Sequence, residues 1–222
     1  MKKILYVGPS WAVRSFENVE ELDPTGGTNL AKELGLDVVS LAKFGLSNME
    51  CLDCVNAYQA SFDGILWVYS EPILDVLYED KKNLIESNDF WSQRADMNRF
   101  ILDHINQLGC PVGMIGAHSD ITDCDFPNIT VIHPSWQKFL ADQVGVVLEY
   151  GWGAEIAHRY AMYEFKNSCP SKDMIFKTSN TLCSWNQLEL SGVFVGVHPN
   201  KNGNELFAKE IKSNVQSFIN NL

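Results

Sequence analysis

Ile65-Leu66-Trp67-Val68-Tyr69 is an unbroken apolar run between the turn signal Asp63-Gly64 and the stop Ser70-Glu71-Pro72. A run this short, with strand formers throughout, predicts a strand buried on both faces and central in its sheet. Such a strand needs a sheet covered on two sides. Four more short runs predict its neighbours: residues 3–8, 37–41, 111–116 and 129–132.

Helical signals alternate with these runs. Ser47-Asn48-Met49-Glu50 matches a capping box, Ser47 as cap and Glu50 at the third helical position, and predicts a helix to about Ala60. Met97, Phe100, Ile101, Ile105 and Leu108 fall on one helical face that Gly109 ends, with His104 on the same stripe as a packed side chain. Thr28 is expected to cap a short helix from Asn29 to Leu34, and Ser135 one running to about Val144. Phe207, Ile211, Val215, Phe218 and Leu222 form the apolar face of a terminal helix. Residues 12–27 read as an acidic surface loop with no core face, and 73–93 as a long loop with helical turns. Residues 146–195 have no clear pattern, and His198-Pro199-Asn200 reads as a polar turn.

Strands alternating with helices predict an α/β fold: one domain over residues 1–222, a three-layer α/β/α sandwich on a five-stranded parallel sheet in flavodoxin-like order. The loops after the five strands then gather at one sheet edge, where open α/β sheets place their ligands. Those loops carry Ser10, Gly45, Ser70, Glu71, His118, Asp120 and His133.

Charge and cysteine usage narrow the class. With 17 basic and 28 acidic residues the net charge is −11, which disfavours nucleic acid as a partner. No apolar run approaches membrane-spanning length, and Met1-Lys2-Lys3 with four apolar residues is too short for a secretory signal. A soluble, cytoplasmic protein with no membrane partner is expected, its six scattered cysteines reduced. Cys51-Leu52-Asp53-Cys54 has no second pair to complete a zinc site and falls inside a helix, where cysteine acts as a small hydrophobe. No phosphate loop or dinucleotide fingerprint is present, so no cofactor and no metal are expected.

Ser10 follows Gly8-Pro9 at the end of the first strand. A serine there becomes a nucleophile only if a base reaches it; otherwise Gly-Pro-Ser is a turn before a helix. His198 is a candidate base, distant in sequence. His118-Ser119-Asp120 offers a base with an orienting acid, a metal pair, or a polar turn; His133-Pro134-Ser135 reads as strand exit and helix cap. Trp67 reads as core, whereas Trp11 and Trp152 are candidates for either core or pocket wall.

Four segments together resemble the SGNH (GDSL-type) hydrolase family. Gly8-Pro9-Ser10 is similar to its Gly-Asp-Ser block, and Phe44-Gly45-Leu46-Ser47 to its second, glycine block. Tyr69-Ser70-Glu71-Pro72 stands at its Gly-x-Asn-Asp block. His198-Pro199-Asn200, followed by Gly203 and a terminal helix, is similar to its Asp-x-x-His-Pro-Asn block. The resemblance implies Ser10 as nucleophile, His198 as base, and the Ser10 and Gly45 N–H groups as oxyanion donors. By their place at the sheet edge, Trp11, Ser70, Glu71, His118 and Asp120 are the candidate lining residues. The chain departs from the family at Pro9, at Val195 where the acid would stand, and near Ser70 and Glu71, where the third oxyanion donor would be. A carboxylate at Glu71 accepts hydrogen bonds and repels an oxyanion. Glu71, Asp75 and Asp120 are the candidates for a third, orienting acid.

The resemblance implies a serine ester hydrolase, of esterase or acetylesterase type, on a small or carbohydrate-linked ester. The altered blocks equally fit a catalytically inactive binding protein on the same scaffold, including a virus-encoded one.

Overall fold

A computed structural model describes residues 2–13, 29–43, 46–70, 72–75, 90–117, 121, 124–147, 190–195 and 198–222. The apolar runs form β1 (Ile4–Val7), β2 (Val38–Ser40), β3 (Gly64–Tyr69), β4 (Val112–Gly116) and β5 (Ile129–His133). They pair in the order β2-β1-β3-β4-β5, every pair parallel. β3 is central and all six of its residues are buried. β2 lies at an edge, and Val39 there is half exposed.

Successive side chains on a strand point to opposite faces, so the continuous runs split into two cores. Ile4, Tyr6, Leu66, Val68, Ile115 and Ile132 belong to one; Leu5, Val7, Ile65, Trp67, Tyr69, Val112 and Met114 belong to the other. The helices are α1 (Ser10–Val13), α2 (Leu30–Glu33), α3 (Asn48–Tyr58), α4 (Phe90–Asn106), α5 (Trp136–Gln143) and α6 (Lys201–Asn220). Trp11, Leu30, Trp136, Leu140, Phe207, Ile211, Val215 and Phe218 bring α1, α2, α5 and α6 onto the first face. Cys51, Leu52, Val55, Ile101, Leu102 and Ile105 bring α3 and α4 onto the second. The fold is the expected three-layer α/β/α sandwich with its parallel sheet in flavodoxin-like order. Among the described residues no helix is long and apolar enough to cross a membrane.

Local signals set most helix starts. The capping box at α3 is complete: Ser47 Oγ accepts from Glu50 N, and Glu50 Oε2 accepts from Ser47 N. Ser135 Oγ caps α5 by accepting from Lys138 N. At α2 the cap is Asn29, which accepts from Lys32 N, and not Thr28, which lies outside the described residues. α4 begins at Phe90, earlier than its clear stripe from residue 94 implies. Its buried face takes Leu102 where the periodicity points to Phe100; Phe100 is 56% exposed and packs against the His104 ring on the outer side. Ala12 is buried, so the segment from residue 12 does begin with a core contact; 14–28 lie outside the described residues.

His198 and Pro199 are not a polar turn. They form β7 (His198–Pro199), antiparallel to β6 (Phe194–Val195), with Val195 opposite His198. Two-residue strands have no periodicity to read. Asn200 then caps α6, its Oδ1 accepting from Gly203 N and its Nδ2 donating to the Gly192 carbonyl. Gly203 lets the helix close onto the hairpin, since a Cβ there would sit 2.4 Å from the Val193 carbonyl oxygen. Gly203→Ala is therefore expected to cost about 1–3 kcal/mol, as overpacking against backbone does. Thermal unfolding should show a loss of a few to about ten degrees for a chain of this size. Gly109→Ala, whose Cβ would meet nothing closer than 3.7 Å, serves as the silent control.

Candidate active site

β1 ends in a turn that only glycine permits. Gly8 has φ +152°, and a Cβ on it would lie 2.8 Å from both Val68 Cβ and Val68 O on the neighbouring β3. Pro9 follows, its carbonyl accepting from Ala12 N, and Ser10 opens α1. As the first residue of a helix, Ser10 has no carbonyl one turn back to take its N–H. Its side chain is half-buried at the carboxyl edge of the sheet.

His198 arrives from the other end of the chain. Its ring Nε2 lies 2.7 Å from Ser10 Oγ, and the His198 side chain is also half-buried. β7 packs on α1, and the Asn200 N–H bonds back to the Val193 carbonyl, so the hairpin is tied to the start of α6. Trp11 stands edge-on to Phe194 at 5.8 Å and to Trp136 at 5.4 Å, linking the helix that carries Ser10 to the strand paired with His198. Trp11 is fully buried in this cluster, so it is core beneath the site and not a pocket wall.

The exit of β3 is held from the second face. Ser70 is fully buried and so does not line an open pocket, and its hydroxyl has no partner among the described residues. Both backbone groups of Ser70 are taken by one side chain: Ser70 N donates to Asn48 Oδ1 at 2.9 Å, and Asn48 Nδ2 donates to Ser70 O at 3.1 Å. Asn48 Nδ2 also reaches Asp75 Oδ2 at 3.1 Å, while Met49 N donates to Asp75 Oδ1 at 2.6 Å. Burial raises the Asp75 carboxyl above its ordinary range, and hydrogen bonds from the Met49 N–H and from Ser47 and Asn48 oppose that shift. Of the three candidate orienting acids, Asp75 is thus turned toward the start of α3. Glu71 and Asp120 lie outside the described residues, as do His118 and Gly45. In the sequence Asn48 reads only as part of a capping box, with nothing to mark its bonds to Ser70.

Cys51 packs one turn further along α3. Its thiol is pushed up to about 12, first by burial and then by the nearby Cys54, Asp75 and Glu50, with only the Gly8 backbone pulling the other way. Cys51, Cys54, Cys110 and Cys124 are free thiols. Among the described residues no three or more of His, Cys, Asp and Glu group as metal ligands. His133 is packed edge-on between Phe139 and Phe207, and its Nδ1 accepts from Ser135 N.

No protein-family model matches the sequence, and no curated protein does. Among solved structures the chain is similar to the YxiM protein of Bacillus subtilis, at 16% identity and a TM-score of 0.45, over 98% of this chain and 57% of that one. The chain therefore spans little more than half the length of that protein. It is also similar to the lipase/acylhydrolase from Enterococcus faecalis, at 13% identity and a TM-score of 0.40, over 98% of this chain and 96% of that one.

Thiolate is the reactive form of cysteine, so the environment of Cys51 has a chemical consequence. In the native protein at pH 8, Cys51 should alkylate with iodoacetamide about a thousandfold more slowly than in the unfolded chain. Peptide mass mapping of samples alkylated before and after unfolding checks this.

Proposed function

We propose that the protein is a serine ester hydrolase of the SGNH (GDSL) type, acting on a small or carbohydrate-linked ester. One contact carries the proposal: the 2.7 Å approach of His198 Nε2 to Ser10 Oγ, between residues 188 apart in sequence. That distance is within the range for a base on its nucleophile. The segments at Ser10, Gly45 and His198 that resemble the family's blocks add to it, as does the position of Ser10 at the carboxyl edge of the sheet.

In the proposed reaction the Ser10 hydroxyl donates its proton to His198 Nε2 as Oγ attacks the ester carbonyl. The negative charge that develops on the carbonyl oxygen is met by the Ser10 and Gly45 backbone N–H groups. Collapse breaks the acyl–oxygen bond, and His198 returns the proton to the departing alkoxide, which leaves as the alcohol. Water then attacks the acyl–serine, giving up its proton to His198, and the carboxylic acid is released as Ser10 regains its hydrogen. With Ser70 buried and Glu71 unsuited to donation, two backbone donors serve the oxyanion in place of the family's three. The free thiols fit a reducing compartment, and the cytoplasm is the compartment proposed.

A fluorophosphonate probe tests the assignment directly. It should label the wild type and leave Ser10→Ala and His198→Ala unlabelled. Hydrolysis of short acyl esters by either variant should fall by about four orders of magnitude or more, as when a nucleophile or its base is removed. Labelling that persists in Ser10→Ala would put the nucleophile elsewhere. No labelling of the wild type would leave a binding protein on this scaffold.

A further inference from the structure

We infer that Asn48 and Asp75 are positioning residues that set the nucleophile turn by locking the exit of β3 to the start of α3 across the exit of β1. This rests on the proposed hydrolase reading of Ser10. The strand order places β1 between β2 and β3, so its exit lies between theirs. α3 follows the loop after β2, yet its first residue clamps both backbone groups of Ser70 at the exit of β3. The start of α3 therefore spans the exit of β1.

The same elements grip the turn itself. The Gly8 carbonyl accepts from Lys43 N in the loop after β2, at 3.2 Å, and Cys51 of α3 lies in the same buried cluster as Val7, the residue before Gly8. The turn is thus tied to the β2–α3 connection by a backbone bond at Gly8, two residues before Ser10. Any shift of α3 relative to β3 is passed to that turn.

Helix capping alone does not account for the clamp. Ser47 and Glu50 already close the capping box of α3. Asn48 is fully buried, its amide reaches outward to another strand, and Asp75 accepts from it at Oδ2 while its Oδ1 accepts from Met49 N. The orientation of the amide is dictated, because Ser70 requires an acceptor on one side and a donor on the other.

The test uses the full chain with Asn48→Asp, Asp75→Asn and the combined exchange Asn48→Asp/Asp75→Asn. The first sets two carboxylates against each other. The second, a milder change, sets two amide donors against each other. The exchange restores three of the four hydrogen bonds and sets a carboxylate oxygen against Ser70 O where the amide had donated. The maximal rate of fluorophosphonate labelling should fall about 100-fold in Asn48→Asp with apparent probe affinity unchanged, as for a misplacement near 1 Å. The exchange should recover part of that loss, the contact with Ser70 O staying broken. In parallel, hydrogen exchange by mass spectrometry should quicken in peptides spanning Ser70 and Gly8 to Ala12 in each single variant, leave α6 unchanged, and return toward wild type in the exchange. Wild-type labelling rates in the single variants would overturn the inference, as would faster exchange at Ser70 with Gly8 to Ala12 unaffected. A wild type that does not label overturns the hydrolase reading, and hydrogen exchange still decides whether the clamp holds the turn. If Asn48→Asp does not fold, Asp75→Asn and the exchange carry the same comparison.

Discussion

The geometry at the sheet edge depends on the burial of Trp11. Its indole is fully enclosed, edge-on to Trp136 and Phe194, and Trp136 in turn stacks on Phe207 at 4.6 Å. Burying an aromatic side chain of this size removes on the order of 200 Å² from water, worth about 5 kcal/mol gross at ~25 cal/mol per Å² and less against a compact unfolded chain. A hydrogen bond such as the one between Ser10 and His198 contributes only about 0.5–1.5 kcal/mol net. The aromatic cluster, not the bond it frames, holds α1 against the hairpin of β6 and β7. The contact between Ser10 and His198 is a consequence of core packing one residue away from Ser10.

The two faces of the sheet serve the edge differently. From the first face come the hairpin with His198 and the start of α6, fastened by Asn200 and by the close fit of Gly203 against Val193. From the second come α3, Asn48 and Asp75. Ser10 sits where the two meet, because β1 lies inside the sheet with a neighbour on each side. The turn at Gly8 brings Ser10 off the strand without leaving β3, and the absence of a side chain at Gly8 is what allows that approach.

The sheet was legible because burial on both faces demands apolar residues at every position, a pattern local enough to see in β1, β3 and β4. Ser47 with Glu50, and Ser135, were legible because capping is a contact between residues three apart. The buried face of α6 followed from helical spacing. On α4 the same spacing pointed to Phe100, but the core takes Leu102, since periodicity gives an arc of the helix and the neighbouring layer decides where the arc is centred. The turn before Ser10 and the histidine segment could be read only through their likeness to known motifs. No rule of spacing joins residues 188 apart.

By itself the sequence determined the layers, the five strands of the main sheet, the caps at Ser47 and Ser135 and the residues able to carry chemistry, because each is written in contacts within a few residues. Tertiary structure alone decided that His198 reaches Ser10, that Trp11 is core, and that Asn48 binds Ser70 instead of merely sitting beside a cap. Each of these is a meeting of segments distant in the chain. Which segments meet is fixed by how the helices fill the two faces of the sheet, a property of packed volumes that no local pattern encodes.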